Sequence, residues 1–598
     1  MRSFKIFISV ILTVATLTGL VGCGGRGDSL FELNLGKGNL SEAENSENQF
    51  ITLPTYYSDG MVIQRDKPIR ISGFCAEDGT EVTVSLGDEE KTAVVTEGEW
   101  KVDFEERSAM KGISLTVSAS APKESFCITY RDVAIGDLWI MSGQSNIAYQ
   151  LRAMENASEY ITNSRNFDNI RFFAQPTVWS LFEDRKGSGR WFDANEENLS
   201  RGDVSAIGYV MATRLAAELP EVVIGLVDCT YAGSMVQTFI DDEIYRRKIT
   251  DSNNSYYSYE SLTAFRSFYE ERGRNPITAT ELKPFFSNEN AYFSLTDTEV
   301  EKPQRLLASI CYNSLISPLE GIGTKGVVWY HGEGNAIGER YTPYYNAVTE
   351  SFRAAFRDEA LPFYVIQLAP YYDLNYESGV SETKAAQFNM AIADGNSYVV
   401  GTSLEGFAAT RADFASGQND SASVIHPARK APIGLRLASE ILKHSYGKSD
   451  MLTAPKPVKI ERQDDRILLT FDSDLGLLWG DRATGFEVSA DGSYFVKAEA
   501  TVSENTVILS ASVSNPRYVR YGFGNLTFEM KDGALIEVFR AEDPTSDNTI
   551  RVTAPDGNTY VIACGDVVRG FTGGNLTNSS GHPAPTFKLY VGYEYQGG

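Results

Sequence analysis

The sequence predicts an α/β protein: a central parallel sheet covered on both faces, with antiparallel β structure at each end. Three observations carry this reading. Between about residues 133 and 447, near-continuous apolar strands alternate with amphipathic helices. Residues 50 to about 132 alternate apolar and polar side chains in short runs broken by turns, and similar runs return from about 455 to the end. At 598 residues the chain also exceeds what a single hydrophobic core supports.

Taken in order, Arg2 and Lys5 precede an apolar run from Ile6 to Val21. The run is short for a membrane span, and its flanks fit a secretory signal over residues 1–22. It ends in Leu20-Val-Gly-Cys23, which resembles a bacterial lipobox. That resemblance implies a lipidated Cys23 as the mature N-terminus, placing the protein outside the cytoplasm on the bacterial cell envelope. Stable anchoring needs two or more acyl chains. Residues 23–49 are rich in Gly, Ser, Asn and Glu and read as a flexible linker, Arg26-Gly-Asp28 included.

Residues 50–132 are expected to form a small β-sandwich, with strands at Glu81–Leu86 and Ile113–Val117 and a turn at 77–80. Over 133–447 the first strand is Leu138–Met141. A helix over Val204–Leu219 carries Ile207, Met211, Leu215 and Leu219 on one face. There follow strand Val222–Val227, helix Pro303–Pro318, strand Gly326–Tyr330 and helix Tyr344–Phe356. Strand Leu361–Leu368, helix Glu382–Ala393, strand Tyr398–Ser403 and a last helix over Pro427–His444 complete the domain. Residues 241–300 are polar, aromatic and aperiodic, and read as an insertion. Residues 455–598 form a second β domain, with strands near Val458–Glu461, Ile467–Phe471, Thr506–Leu509 and Tyr518–Gly522, interrupted by an insertion over about 532–570.

Hydrophobic and aromatic contents of 42% and 12% belong to a folded globular chain, and the formal charge is −25. Such a surface repels nucleic acid and anionic bilayers, so membrane contact is expected through the lipid anchor alone. Beyond Cys23 the cysteines are Cys75, Cys127, Cys229, Cys311 and Cys564, with no C-x-x-C spacing. No zinc site is expected, and no other metal or organic cofactor. Cys75 and Cys127 share a predicted domain, and both a disulfide and buried free thiols fit there.

The most informative stretch is Gly136-Asp-Leu-Trp-Ile-Met-Ser-Gly-Gln-Ser-Asn146. An apolar strand stops in a tight turn that presents Ser145 between Gly143 and Asn146, the placement of a nucleophile. It is not a G-x-S-x-G elbow, because position 147 is Ile. Parallel sheets bind ligands beyond the carboxyl ends of their strands. Gly233 and the segment from His331 to Asn335 also follow strand ends, so they are expected to converge with Ser145.

Gly143-Gln-Ser-Asn146 resembles the G-Q-S-N block of the sialate O-acetylesterase family, a branch of the SGNH hydrolases. Three more blocks follow in the family's order. Ile224 to Phe239 resembles the second, with Gly233 at its oxyanion glycine. Val327-Val-Trp-Tyr-His-Gly-Glu-Gly-Asn335 resembles the W-Y-Q-G-E-S-N block, and Ile425 to Leu437 resembles I-H-P-x-x-K-x-x-x-G-x-R-L. The flanks Ser58–Lys67 and Asn575–Ala584 are similar too. The resemblance implies a flavodoxin-like SGNH core between β-sandwich domains.

Acyl transfer to serine needs a base and donors for the developing oxyanion. Of four histidines, His444 lies near a predicted helix end, His582 in a β-domain loop and His331 in the third block. His426, preceding Pro427 at a predicted helix start, is assigned as the base. The expected oxyanion donors are the N–H groups of Ser145 and Gly233 and, by resemblance, the side-chain amide of Asn335. His331 replaces the family's glutamine, and a neutral imidazole still donates one hydrogen bond. Gln144, Asn146 and Glu333 complete the expected oxyanion and substrate-binding set. The position three residues before the histidine, where these enzymes usually carry an aspartate, is Ser423. Asp420 is the first choice of acid and Glu405 the second, with a Ser–His dyad as the remaining alternative.

The resemblance therefore implies a secreted serine esterase that removes O-acetyl groups from carbohydrates, either sialic acid or plant saccharides, through an acyl-enzyme. Two alternatives stay open. One is a carbohydrate-binding lipoprotein with a degenerate site, suggested by Ser423, His331 and Gly334. The other is a lipid or peptidoglycan esterase of the same chemistry.

Overall fold

One 19-residue strand, Ser125–Gly143, organises the molecule. In this computed structural model the described residues are 50–122, 124–249, 267, 307–371, 379–406, 425–524, 526–541, 547, 549–572 and 574–595. The expected signal segment, Cys23, the linker, most of the 241–300 insertion, Asp420 and Ser423 lie outside them.

The strands of the central sheet are Ser125–Gly143 (β1), Ile170–Ala174 (β2), Arg190–Asp193 (β3), Ile224–Thr230 (β4), Gly326–Tyr330 (β5), Phe363–Ile366 (β6) and Ser397–Val400 (β7). They lie in the order β3-β2-β4-β1-β5-β6-β7. Every neighbouring pair is parallel except β2 and β3 at the edge. The first half of β1 is partly exposed and pairs antiparallel with Met110–Ser120; from Val133 onward it is wholly buried. The boundary expected at 132/133 thus falls inside a single strand. Register shifts opposite Met110–Leu115 and a positive φ of 54° at Asp132 mark the passage from one pairing regime to the other. The two regions therefore share one 11-stranded sheet.

Side chains on a strand alternate between faces, and here each face has its own core. Leu138, Ile140, Val327, Trp329 and Val365 enter one, while Trp139, Met141, Val328, Tyr330 and Tyr364 enter the other. Helices α1 (Ala206–Glu218) and α4 (Ala431–Ser445) cover the second core with Ile207, Met211 and Leu215, and with Ile433, Leu437 and Ile441. Between them in sequence, α2 (Thr342–Ala355) and α3 (Gly379–Asp394) cover the first with Val348, Phe352 and Phe388. Ser205 caps α1 by accepting the Gly208 N–H at 3.1 Å, a cap worth about 1 kcal/mol.

Two predicted helices are corrected. The last begins at Ala431 rather than Pro427. A helix starting at Pro427 would carry Pro432 in its interior, where the ring meets the carbonyl of Ala428 and no N–H is available. With the start at Ala431, Pro432 sits in the first turn, where it is tolerated. The described part of the expected Pro303–Pro318 helix is a π turn over Tyr312–Ile316 and a 3-10 turn over Ser317–Leu319, preceded by Ser309 at φ 64°. A left-handed residue cannot continue a right-handed helix.

The C-terminal region is β-rich. It contains two four-stranded sheets, and strands from Leu535–Val538 to Thr559–Ala563 occupy the expected insertion. It docks on the central sheet through Gln367, whose amide exchanges two hydrogen bonds with the Thr586 backbone at 2.9 and 3.0 Å. Cys75 and Cys127 are both free thiols, in separate sheets, the first buried and the second exposed.

Candidate active site

The site is set by strand register. Gly143 at the end of β1 pairs with Thr230 on β4 and Tyr330 on β5, so three carboxyl ends stop on one line. Gly143 has φ 131°, and a Cβ there would lie 2.2 Å from the Tyr330 carbonyl oxygen, so only glycine closes the strand this tightly. Beyond it, Gln144 donates its N–H to Tyr330 O at 3.2 Å, and Tyr231 donates its own to Gly143 O at 2.9 Å. Both neighbouring strands thus bracket the turn. Ser145 is half-buried at its tip, and its Oγ lies 2.7 Å from Nε2 of His426.

His426 stands on the irregular segment ahead of α4. Its imidazole is pushed down to about 4 from 6.5, first by burial and then by the nearby Lys430 ammonium, so it is neutral at ordinary pH. To accept the Ser145 proton at Nε2, the ring must carry its own proton on Nδ1.

Beneath this pair lies a buried polar cluster centred on Asn146. Its Nδ2 donates to Glu333 Oε1 at 2.5 Å and to the Ile425 carbonyl at 3.0 Å, while its Oδ1 accepts from Lys430 Nζ. Asn146, Glu333 and Lys430 are all buried. Burial raises the Glu333 carboxyl and lowers the Lys430 ammonium to about 7. Asn146 therefore has neither end of its amide free for substrate, and Glu333 is an acceptor within the cluster rather than an oxyanion donor.

Gly233 follows β4 with φ 72°. Among the described residues, no acceptor takes the N–H of Ser145 or of Gly233. Asn335 accepts the Val236 N–H at 2.9 Å on its Oδ1, which orients the amide and leaves its NH2 without a protein partner among those residues. Gln144 is buried and accepts the Gly334 N–H at 3.4 Å. His331 does not join these donors. Its Nε2 donates to the Ser234 carbonyl at 3.2 Å, its Nδ1 accepts from the Tyr341 hydroxyl at 3.0 Å, and its ring stacks on Trp329. With both nitrogens engaged, the oxyanion role expected of His331 has no free donor.

Glu405 is buried and ion-paired with Arg436, which also donates to Gly401 O at 3.0 Å. Its field partly offsets the burial that lowers Lys384 to about 7, and Lys384 Nζ itself has no hydrogen-bond partner. The described contacts thus commit Glu405 to a cation.

No family profile matches the chain. Its sequence is 25% identical over 517 residues to sialate O-acetylesterase of Mus musculus, covering 80% of this chain and 91% of that protein. The Homo sapiens sialate O-acetylesterase is 23% identical over 431 residues, covering 68% and 73%. In structure, a carbohydrate acetylesterase from Xanthomonas citri superposes with a TM-score of 0.63 at 23% identity, covering 90% of this chain and 99% of that one. Over most of its length the chain is therefore similar to the sialate O-acetylesterases. It is a carboxylic ester hydrolase.

Sequence reasoning passed over Lys430, although it stands in the histidine block. The signal was a lysine four residues after the assigned base on a stretch that becomes buried. His331 also has a measurable consequence. It is fully buried and lowered to about 3 from 6.5, chiefly by burial. Below pH 6.5 the unfolded chain binds a proton there that the native state does not, so stability falls with acid down to about pH 3. His331→Gln is expected to remove this share, up to about 1.4 kcal/mol per pH unit. Urea unfolding at pH 7 and pH 4.5 measures it; an unchanged acid dependence in the variant rejects the assignment.

Proposed function

We propose that the protein removes O-acetyl groups from a carbohydrate, using an SGNH-type α/β core with Ser145 as nucleophile. The single observation that carries this is the 2.7 Å contact between Ser145 Oγ and His426 Nε2 at the carboxyl edge of the parallel sheet. The named relatives, sialate O-acetylesterases, supply the substrate class.

In the proposed reaction, Ser145 Oγ attacks the acetyl carbonyl carbon while His426 Nε2 takes its proton. The oxyanion forms against the N–H groups of Ser145 and Gly233 and the amide of Asn335. The imidazolium passes its proton to the departing sugar oxygen, leaving acetyl-Ser145. Water, deprotonated by His426, then attacks the acetyl group, and acetate leaves as Ser145 regains its proton. Because the base works neutral, kcat/KM is expected to fall only below about pH 4. An acid limb near pH 6.5 would mean that a carboxylate such as Asp420 offsets the lowering by burial and Lys430.

Hydrolysis of 4-nitrophenyl acetate by residues 24–598 tests the chemistry; a sugar-binding protein with a decayed site gives none. Acetate release from acetylated sialosides, xylan and mannan should exceed release of acyl groups from phospholipids, and the reverse preference overturns the substrate class. The lipid anchor is a separate proposal resting on Leu20-Val-Gly-Cys23. Mass spectrometry of protein from the native host is expected to find acylated Cys23, and an unmodified N-terminus downstream of it refutes the anchor.

A further inference from the structure

Lys430 is a fully buried ammonium group with no role in the bond-making steps above. A buried charge is retained only when something holds it. Here its Nζ donates to Asn146 Oδ1 and lies 4.7 Å from the Tyr149 ring centre and 5.9 Å from that of Tyr330. On the far side of the same amide, Glu333 accepts from Asn146 Nδ2. Cation and carboxylate thus grip opposite ends of one asparagine. Turning the amide over would set NH2 against the ammonium and C=O against the carboxylate, so the pair fixes its orientation. In that orientation Nδ2 also donates to the carbonyl of Ile425. Asn146 adjoins the nucleophile and Ile425 adjoins the base.

We propose that Lys430 is a positioning residue for ester hydrolysis: acting through Asn146 and balanced by Glu333, it locks the turn carrying Ser145 to the segment carrying His426. The inference rests on the proposed roles of Ser145 and His426.

The lock has an electrostatic side. The ionisable groups facing Lys430 are Glu333 from the turn after β5, His426 from its own segment, Tyr330 from β5 and Tyr149 from the segment after β1. Its positive charge disfavours protonation of His426. Removing it makes the imidazole easier to protonate, so the acid limb of kcat/KM moves to higher pH.

The test uses 4-nitrophenyl acetate with the purified full-length protein and the variants K430M, K430Q and K430R, with melting curves to monitor folding. K430M is expected to lower kcat by about 10- to 100-fold, the scale of a misplacement near 1 Å, with KM changed by less than about threefold. Its acid limb should move to higher pH, the direction that loss of a like charge dictates. K430Q keeps a donor for Asn146 but no charge. It should show the same limb shift with a smaller loss of kcat, and it carries the test if K430M does not fold. K430R should keep the wild-type limb. Neutral variants with a wild-type limb, or with wild-type kcat, overturn the inference while Ser145-dependent hydrolysis still stands. Absence of any Ser145-dependent hydrolysis in the wild type overturns the esterase reading itself, and the inference with it.

Discussion

Ser145→Ala is expected to abolish ester hydrolysis, lowering kcat by about 10⁶-fold, the scale on which serine hydrolases lose rate with their nucleophile. That is about 8 kcal/mol of transition-state stabilisation. The fold should be indifferent. Ser145 is half-buried at a turn tip, and the described contact of its hydroxyl is to His426. The turn itself is held by Gly143, Gln144 and the backbone of the flanking strands. An unchanged melting temperature with complete loss of acetate release and of fluorophosphonate labelling is the expected pattern. Fluorophosphonate labelling of a different serine in the wild type would sink the assignment.

The second large effect separates the two candidate acids. Glu405→Gln is expected to cost folding rather than chemistry. Glu405 and Arg436 are 3% and 6% exposed. Removing one partner of such a pair leaves a buried charge uncompensated, at about 3–5 kcal/mol. Lys384 would lose the carboxylate that favours its charged form at the same time. Asp420→Asn is expected to behave in the opposite way, lowering kcat by at least about 10²-fold with little change in melting temperature. Asp420 lies outside the described residues, so its role stands on its sequence position, six residues before His426. A Glu405→Gln variant that melts like the wild type but loses kcat would reverse the two assignments. If both variants keep kcat, a Ser145–His426 dyad describes the centre better.

Sequence alone carried the architecture because architecture is written in short-range periodicity. Apolar runs at β4, β5 and β6 and the four-residue spacing of Ile207, Met211 and Leu215 each announce their element within a dozen residues. The Ser145 turn was legible for the same reason: a glycine, a short polar tip and an apolar strand are neighbours in the chain. The late start of α4 was written there too, in Pro432, though the expectation followed Pro427. The double use of β1 was not visible, since only pairing on both sides shows that one strand serves two β regions.

Tertiary structure decided what each polar group does. Asn146 meets Lys430 across 284 positions and Ile425 across 279. His331 meets Ser234 across 97, a contact that removes it from the expected oxyanion set. Such partners have no local signature. A buried hydrogen bond is chosen by which strand ends share a register and which side chains burial leaves without water. From sequence, therefore, Ser145 and His426 could be singled out by type and placement, and the structure sets them 2.7 Å apart. Whether a neighbouring polar residue faces the substrate or braces the site from below followed only from the packed sheet.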